Sequence, residues 1–336
     1  MNIIHRLKVL VMCLMLSVIS AATYTYGQAA PVLSFTSYTR LSPNTKTGLG
    51  ASTAYLNGTI YLAMKGDGND YLWLSKSTNG TNVTSTEYGT VINYAPSIAV
   101  FNNKLYVAYT TQSGSIYEIS TTDGSIFTAP VLVYSPSSLA ATSGPTLVVY
   151  NGSLYAYWEE DYTNVVPQNQ IEGAVMSVDG TFWSATGLCF YSGSTSTNSP
   201  TSHSAVGAAV FNSQLFLGIQ LGNSTTANTL LVCRSGGFTS YSLIHPEGGI
   251  SAAVYNGSLY FAYKGNTSAN YLELTGTSDG STFTTPGTQV TSPPIRINGT
   301  SGYEIAPSLL NYNSKLWVFY TANDNTHYLY QTHSTN

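Results

Sequence analysis

Along most of its length the chain alternates between apolar and polar positions. An apolar run of four to six residues enters a short polar tip, and a second run leaves it. Six segments share this pattern: TAYLNGTIYLAMK (53–65), IAVFNNKLYVAYT (98–110), LVVYNGSLYAYWE (147–159), AAVFNSQLFLGIQ (208–220), AAVYNGSLYFAYK (252–264) and LLNYNSKLWVFYT (309–321). Each tip is Asn-Gly, Asn-Asn or Asn-Ser. Asn and Gly tolerate the positive φ of a two-residue turn, so each segment is predicted to be a β-hairpin. The tip asparagines are Asn57, Asn102, Asn151, Asn212, Asn256 and Asn313, spaced by 45, 49, 61, 44 and 57 residues. Such spacing marks a repeated supersecondary unit.

Three residues past each Asn stands an aliphatic residue, and the next is an aromatic: Tyr61, Tyr106, Tyr155, Phe216, Tyr260 and Trp317. Neighbouring strand residues point to opposite faces, so this strand is apolar on both. A strand of that kind is predicted to lie buried between two sheets. A second turn recurs downstream in STTDGSIF (120–127), SVDGTFW (177–183) and TSDGSTF (277–283), with weaker copies in KSTNGTNV (76–83) and CRSGGF (233–238). Each lies between two more short strands. The unit is therefore four antiparallel strands in roughly 45–60 residues, the size of a propeller blade.

The chain ends indicate how the blades close. The last unit stops at YLYQTHSTN (328–336), which matches YLWLSKSTN (71–79) in the first and leaves the last unit without a fourth strand. Near the N-terminus, FTSYTRLSP (35–43) resembles the fourth-strand segment FTSYSLIHP (238–246). The strand at 32–41 is expected to complete the last blade and remove an open sheet edge. The fold class expected is all-β: a six-bladed propeller of four-stranded antiparallel blades in one domain, 30–336.

Residues 1–29 read as a signal peptide: Arg6 and Lys8, an apolar run over 9–19, then small residues that allow cleavage after Ala22 or Ala29. An exported protein with no membrane insertion is expected. Only 8% of the residues are charged. Beyond the leader, nine basic residues face fifteen acidic ones with no basic stretch, which excludes a nucleic-acid footprint. Cys189 and Cys233 either pair or remain buried thiols. No spacing suited to metal ligands and no cofactor motif is present, so no cofactor and no metal are expected.

The turn S-x-D-G-x-x-[FW] resembles the Asp-box of sialidase-like six-bladed propellers. That resemblance implies structural hairpin locks at Asp123, Asp179 and Asp279, away from the active face. It does not extend to sialidase chemistry. Sialidases hold their substrate carboxylate with three arginines, one of them just before a Pro at the start of an inner strand. The corresponding strands here begin NYAPS (93–97) and EIAPS (304–308). The repeats are also similar to those of bacterial and fungal propeller lectins.

Charges gather in the loops joining the second and third strands and in those between blades. These loops hold Glu159, Glu160, Asp161, Glu172, His203, His245, Glu247, Arg296, Tyr303 and Glu304, with Arg40 and Lys46 leading into the first blade. Loops on a rigid scaffold carry function disproportionately. Two columns at the end of each second strand pair an aromatic with a polar residue, as in Trp158-Glu159. Such pairing suits a sugar, which needs a stacking surface and fixed hydrogen-bond partners. The leading expectation is a secreted lectin-like propeller that binds polysaccharide or cell-surface glycan. Its ligand-binding candidates are Trp158, Glu159, Glu160, Asp161, His203, His245, Arg296, Tyr303 and Arg40. The alternative is a glycoside hydrolase, with acid and base drawn from Glu159, Glu172, Glu247 and Glu304. A protein-binding or adhesive propeller is the third reading.

Overall fold

The computed structural model describes residues 28–43, 45–136, 140–161, 169–186, 205–221, 229–234, 237–241, 244–265, 271–285, 287–290, 306–322 and 326–335. His203, Arg296, Tyr303, Glu304 and the side chain of Asp161 lie outside them. Among the described residues there is no helix; the strands form six four-stranded antiparallel sheets. The first and second strands of blade I are Thr47–Leu56 and Thr59–Gly66, and of blade II Ser97–Phe101 and Lys104–Thr110. In blade III they are Thr146–Tyr150 and Ser153–Asp161, and in blade IV Gly207–Phe211 and Gln214–Leu221. Blade V begins with Pro246–Tyr255 and Ser258–Gly265, and blade VI with Ser308–Tyr312 and Lys315–Thr321. Each first strand packs against the first strands of both neighbouring blades, so these six line the axis of a six-bladed β-propeller.

The tip asparagines all have φ between 45° and 51°, as the two-residue turn demands. The strand after each tip is buried on both faces because each face meets a different neighbouring blade. The recurrent aromatic on that strand and the recurrent downstream turn belong to one contact. The turn glycine of one blade lies on the aromatic of the blade before it. A Cβ on Gly80 would come within 2.5 Å of the Trp317 ring, and one on Gly280 within 2.9 Å of the Phe216 ring. The Asp at these turns accepts from its own turn backbone: Asp123 from the N–H of Ser125 (2.8 Å) and Ile126 (3.0 Å), Asp279 from Ser281 (2.7 Å) and Thr282 (2.8 Å). Asp179 accepts from the Thr181 N–H at 3.1 Å. Asn79 makes the same contacts to Thr81 and Asn82 in the blade I copy.

Blade VI is completed by Thr39–Arg40, which pairs with Gln331 and Tyr330, and by a single bridge between Phe35 and Ser334. Backbone bonds extend the pairing on either side, from the Thr335 N–H to the Ser34 carbonyl (2.8 Å), the Thr36 N–H to the His333 carbonyl (2.9 Å) and the Leu41 N–H to the Leu329 carbonyl (2.9 Å), and the Thr332 hydroxyl adds a bond to the Thr36 carbonyl at 2.8 Å. Upstream, the chain crosses to blade V. The Ser278 N–H donates to the Gln28 carbonyl (3.0 Å), the Gln28 N–H to the Asp279 carboxylate (3.0 Å), and the Ala30 N–H to the Gly276 carbonyl (3.1 Å). Gln28 and Ala29, on the leader side of the expected boundary at 29/30, therefore pack on the propeller.

A ring of hydroxyls joins the blades near the axis. Five residues before each tip asparagine stand Ser52, Ser97, Thr146, Gly207, Ser251 and Ser308. Ser52 accepts from the Ile98 N–H (3.1 Å), Ser97 from Leu147 (2.9 Å) and Ser251 from Leu309 (2.9 Å), each in the following blade. Thr146 donates to the Val206 carbonyl at 2.6 Å, and Ser308 lies 2.7 Å from the Thr53 hydroxyl. Gly207 is the exception. A Cβ there would approach Ile250 Cγ2 to 2.8 Å, and the seam is joined instead by the Ile250 N–H donating to the Ala205 carbonyl.

Candidate functional site

The second strands all end on the face opposite the Asp turns. Eight residues past each tip asparagine stand Lys65, Thr110, Glu159, Gln220, Lys264 and Thr321, polar as the sequence shows and largely buried. They face the seam with the following blade. Lys65 Nζ donates to the Asn93 carbonyl (3.1 Å) and pairs with Asp70 (2.9 Å); Thr110 Oγ1 donates to the Ser143 carbonyl (3.1 Å); Gln220 Oε1 accepts from the Gly248 N–H (2.7 Å). These contacts are the mortar between blades, because a buried polar group is retained only with a partner.

One residue earlier stand Met64, Tyr109, Trp158, Ile219, Tyr263 and Tyr320, none more than 4% exposed. They fill the opposite seams. Trp158 packs on Tyr134, ring centroids 5.0 Å apart, and its indole N–H donates to Glu160 Oε1 at 2.9 Å. It has no face for a sugar to stack on.

The predicted site residues are spread around the ring. Glu159 turns toward the seam between blades III and IV, alongside Tyr157 and Ile171. Trp158, Glu160 and Glu172 turn to the seam between II and III, since Trp158 sits opposite Glu172 and two residues from Glu160 on the same face. Glu247 pairs with Lys264 at 3.2 Å. His245 is exposed beside Glu273, whose carboxyl is pushed up by burial next to Tyr263. Arg40 lies 4.6 Å from the Tyr328 ring centre, with Lys46 at 4.9 Å from the same ring. Arg234 is at the other end of the molecule, donating to the Gly280 carbonyl (3.0 Å) and Ser281 Oγ (3.2 Å).

One grouping is thus drawn together: the blade III pair Glu160 and Glu172. They are diagonal neighbours on one face of adjacent antiparallel strands, because Glu160 sits opposite Gln170. Such neighbours lie roughly 7–8 Å apart. Glu160 is buried and Glu172 partly exposed.

Two features escaped the sequence reading. The hydroxyl column five residues before each tip was legible as a column, but its partners on the next blade were not. In the repeat Glu118 aligns with Trp73, Glu273 and Tyr330 on the third strands. The register instead places Tyr117 opposite Tyr109, and Glu118 opposite Ala108. From the residue eight past the tip to its third-strand partner the chain runs one residue shorter in blade II (Thr110 to Ile116) than in blade I (Lys65 to Leu72), which shifts the register by one and turns Glu118 to the other seam. It is buried with Oε2 unpartnered, and burial raises its carboxyl to about 7.

On the axis, the starts of the six first strands enclose a cavity of about 150 Å³. Gly50, Ala95, Pro145, Ala205 and Ala306 narrow it, and no carboxylate is among its lining residues. Cys233 is disulfide-bonded, its partner lying outside the described residues.

No family model matches the sequence, and no curated protein matches it. Solved structures do. An α-L-arabinanase of Penicillium chrysogenum complexed with arabinobiose superposes with a TM-score of 0.63 at 14% identity, covering 91% of this chain and 98% of the other. An α-L-arabinofuranosidase of Fusarium graminearum gives 0.62 at 11% identity, covering 90% and 98%. A Trypanosoma rangeli sialidase in complex with sialic acid gives 0.58 at 12% identity, covering 92% of this chain and 58% of the sialidase. At such identities the likeness establishes the fold: a six-bladed propeller of the kind found in arabinanases and sialidases. It also corrects the leading expectation. These structures are of glycoside-cleaving enzymes rather than lectins, and the aromatic column that a lectin-like site required is buried.

Proposed function

We propose that this protein is a glycoside hydrolase acting on neutral sugars of a polysaccharide, with its chemistry carried by Glu160 and Glu172. The observation that carries this reading is the placement of two carboxyls on one face of blade III, diagonal across Trp158. The strand register sets their backbone positions roughly 7–8 Å apart, a placement from which two glutamate side chains can flank one glycosidic bond, and the reading is of an inverting mechanism. In that arrangement one carboxylic acid protonates the departing glycosidic oxygen. The other takes a proton from the water that attacks the anomeric carbon from the opposite side. Trp158 is the positioning residue, since its N–H fixes one oxygen of Glu160.

The described cations favour a neutral substrate as the first to test. Anionic sugars call for a guanidinium fork. Among the described residues Arg234 is bonded at the far end, and Arg40 lies over Tyr328. Lys65 and Lys264 are paired with carboxylates. The arabinan-type substrates in the names of the structural neighbours are neutral, and they are the first to try. Export by the leader is part of the same reading, because a polysaccharide is met outside the cell.

The experiment is turnover of 4-nitrophenyl α-L-arabinofuranoside and of a panel of neutral pyranosides. Wild type should release nitrophenol from at least one. Glu160→Gln and Glu172→Gln should each lower kcat by about a hundredfold or more while unfolding at the wild-type temperature. Activity that survives in both variants would overturn the assignment.

A further inference from the structure

The seam between blades VI and I holds a cavity of about 670 Å³ that belongs neither to the axis nor to the blade III pair. It lies in the range of roughly 300–1,000 Å³ typical of small-molecule sites, and the axial cavity does not. Its origin is a break in the repeat. The residue seven past the tip asparagine is an aromatic in blades II, III, V and VI, where it plugs the seam; in blade I it is Met64. A thinner, unbranched side chain in that position leaves space, and Trp73, its partner on the third strand, borders the space half-exposed.

The indole is held in place. Trp73 Nε1 donates to Asn69 Oδ1 (3.4 Å), the same oxygen accepts the Tyr71 N–H (3.3 Å), and Asn69 Nδ2 donates to Glu87 Oε2 (3.1 Å). Gly66 lies against Asn69 Oδ1 and the indole, and a Cβ there would come within 2.6 Å of Nε1, so a larger residue would displace the Asn69–Trp73 pair. The floor is Met64 and Val83, and Lys46, Asp67 and Asn69 stand at the rim. Asp67 is clasped by His327 of blade VI at 2.8 Å, which ties the two walls together.

We propose that this cavity binds one neutral sugar unit of the polysaccharide chain, as an anchoring subsite separate from the carboxyl pair. The inference rests on the reading of the substrate as a neutral glycan. An indole of fixed orientation offers a face to the C–H side of a sugar ring. The rim supplies an ammonium, a carboxylate and an amide for its hydroxyls. With both Lys46 and Asp67 among its lining residues, the rim carries mixed charge and does not favour an anion or a cation.

Calorimetric titration with arabinobiose, xylotriose and mannotriose tests the proposal. It is run on wild type, on Glu172→Gln, on Trp73→Ala and on Met64→Tyr. The last restores the aromatic of the other blades and fills the cavity without removing a polar contact. At least one sugar should bind wild type and Glu172→Gln alike, and bind at least tenfold more weakly to both pocket variants, with Met64→Tyr unfolding at the wild-type temperature. Undiminished binding in Met64→Tyr, or no binding of any of the three sugars to wild type, overturns the pocket. Because the readout is binding, a wild type that hydrolyses nothing would end the hydrolase reading and leave this result standing. Turnover without pocket-dependent binding would do the reverse.

Discussion

The hydroxyls of Thr53 and Ser308 lie 2.7 Å apart, and that contact joins blade I to blade VI at the axis. The other bonds of the ring run from a side-chain hydroxyl to a backbone group of the next blade, or from backbone to backbone at blade IV. The distinction matters for stability. Removing the Ser97 hydroxyl leaves the fixed Leu147 N–H unsatisfied, which costs about 1–3 kcal/mol; removing the Ser308 hydroxyl leaves the Thr53 hydroxyl, which can rotate toward another acceptor, so the cost lies toward the low end of that range. Ser97→Ala, which orphans the Leu147 N–H, should therefore destabilise the protein more than Ser308→Ala. Urea unfolding with unchanged m-value reads the difference, and the reverse order would show that the ring does not work seam by seam.

Glu118 makes stability depend on pH. Unfolded, its carboxyl titrates near the ordinary 4.5; folded, burial among apolar groups raises it to about 7, against a weaker opposing pull from Lys104. Between those values the folded protein holds a proton that the unfolded chain has released. Stability is therefore full below 4.5 and falls as pH rises through 7. A displacement of that size corresponds to roughly 3 kcal/mol. Glu118→Gln should match wild type at pH 4 and exceed it by up to about 3 kcal/mol at pH 8. Unfolding free energies with parallel pH profiles would show that Glu118 ionises freely in the fold.

Periodicity carries direction and not depth, which explains what the sequence conveyed. The blade count and the positive-φ turns at Asn57 through Asn313 follow from local pattern, and closure by the N-terminal segment from matching one repeat against another. Trp158-Glu159 reads identically whether it ends in solvent or in a seam. Only the position of the next blade determines that it is buried. Glu118 shows the same limit, since one residue of loop length decided which seam it faces. The pocket left a trace in the repeat, Met64 where four blades have an aromatic, but a gap in a column becomes a cavity only once Trp73 is placed beside it.

Asp279 does more than Asp123. Both accept from their own turns, but Asp279 also accepts the Gln28 N–H, and Ser278 beside it donates to the Gln28 carbonyl. This segment continues into Pro31, whose carbonyl accepts from the Tyr260 hydroxyl at 3.0 Å. Asp279→Ala should loosen residues 28–31 and make them an early site of proteolytic nicking, whereas Asp123→Ala should leave them protected. The strap also bears on processing: cleavage after Ala22 keeps Gln28 and Ala29, and cleavage after Ala29 removes both. N-terminal sequencing of exported protein is expected to begin upstream of Gln28, and a start at Ala30 would show that the strap is dispensable.

Trp158→Phe separates packing from chemistry in blade III. The substitution keeps an aromatic against Tyr134 and deletes the N–H that holds Glu160 Oε1 at 2.9 Å. A hydrogen bond to a carboxylate contributes about 1.5–3 kcal/mol, so some stability is lost. The informative readout is kinetic. If that N–H positions Glu160 for proton transfer, kcat should fall by about tenfold or more while KM stays near wild type, because the contact supports the transition state and not ground-state binding. A fall in stability with kcat unmoved would place Trp158 and Glu160 in the seam as packing alone, and the chemistry would then have to be sought at another blade.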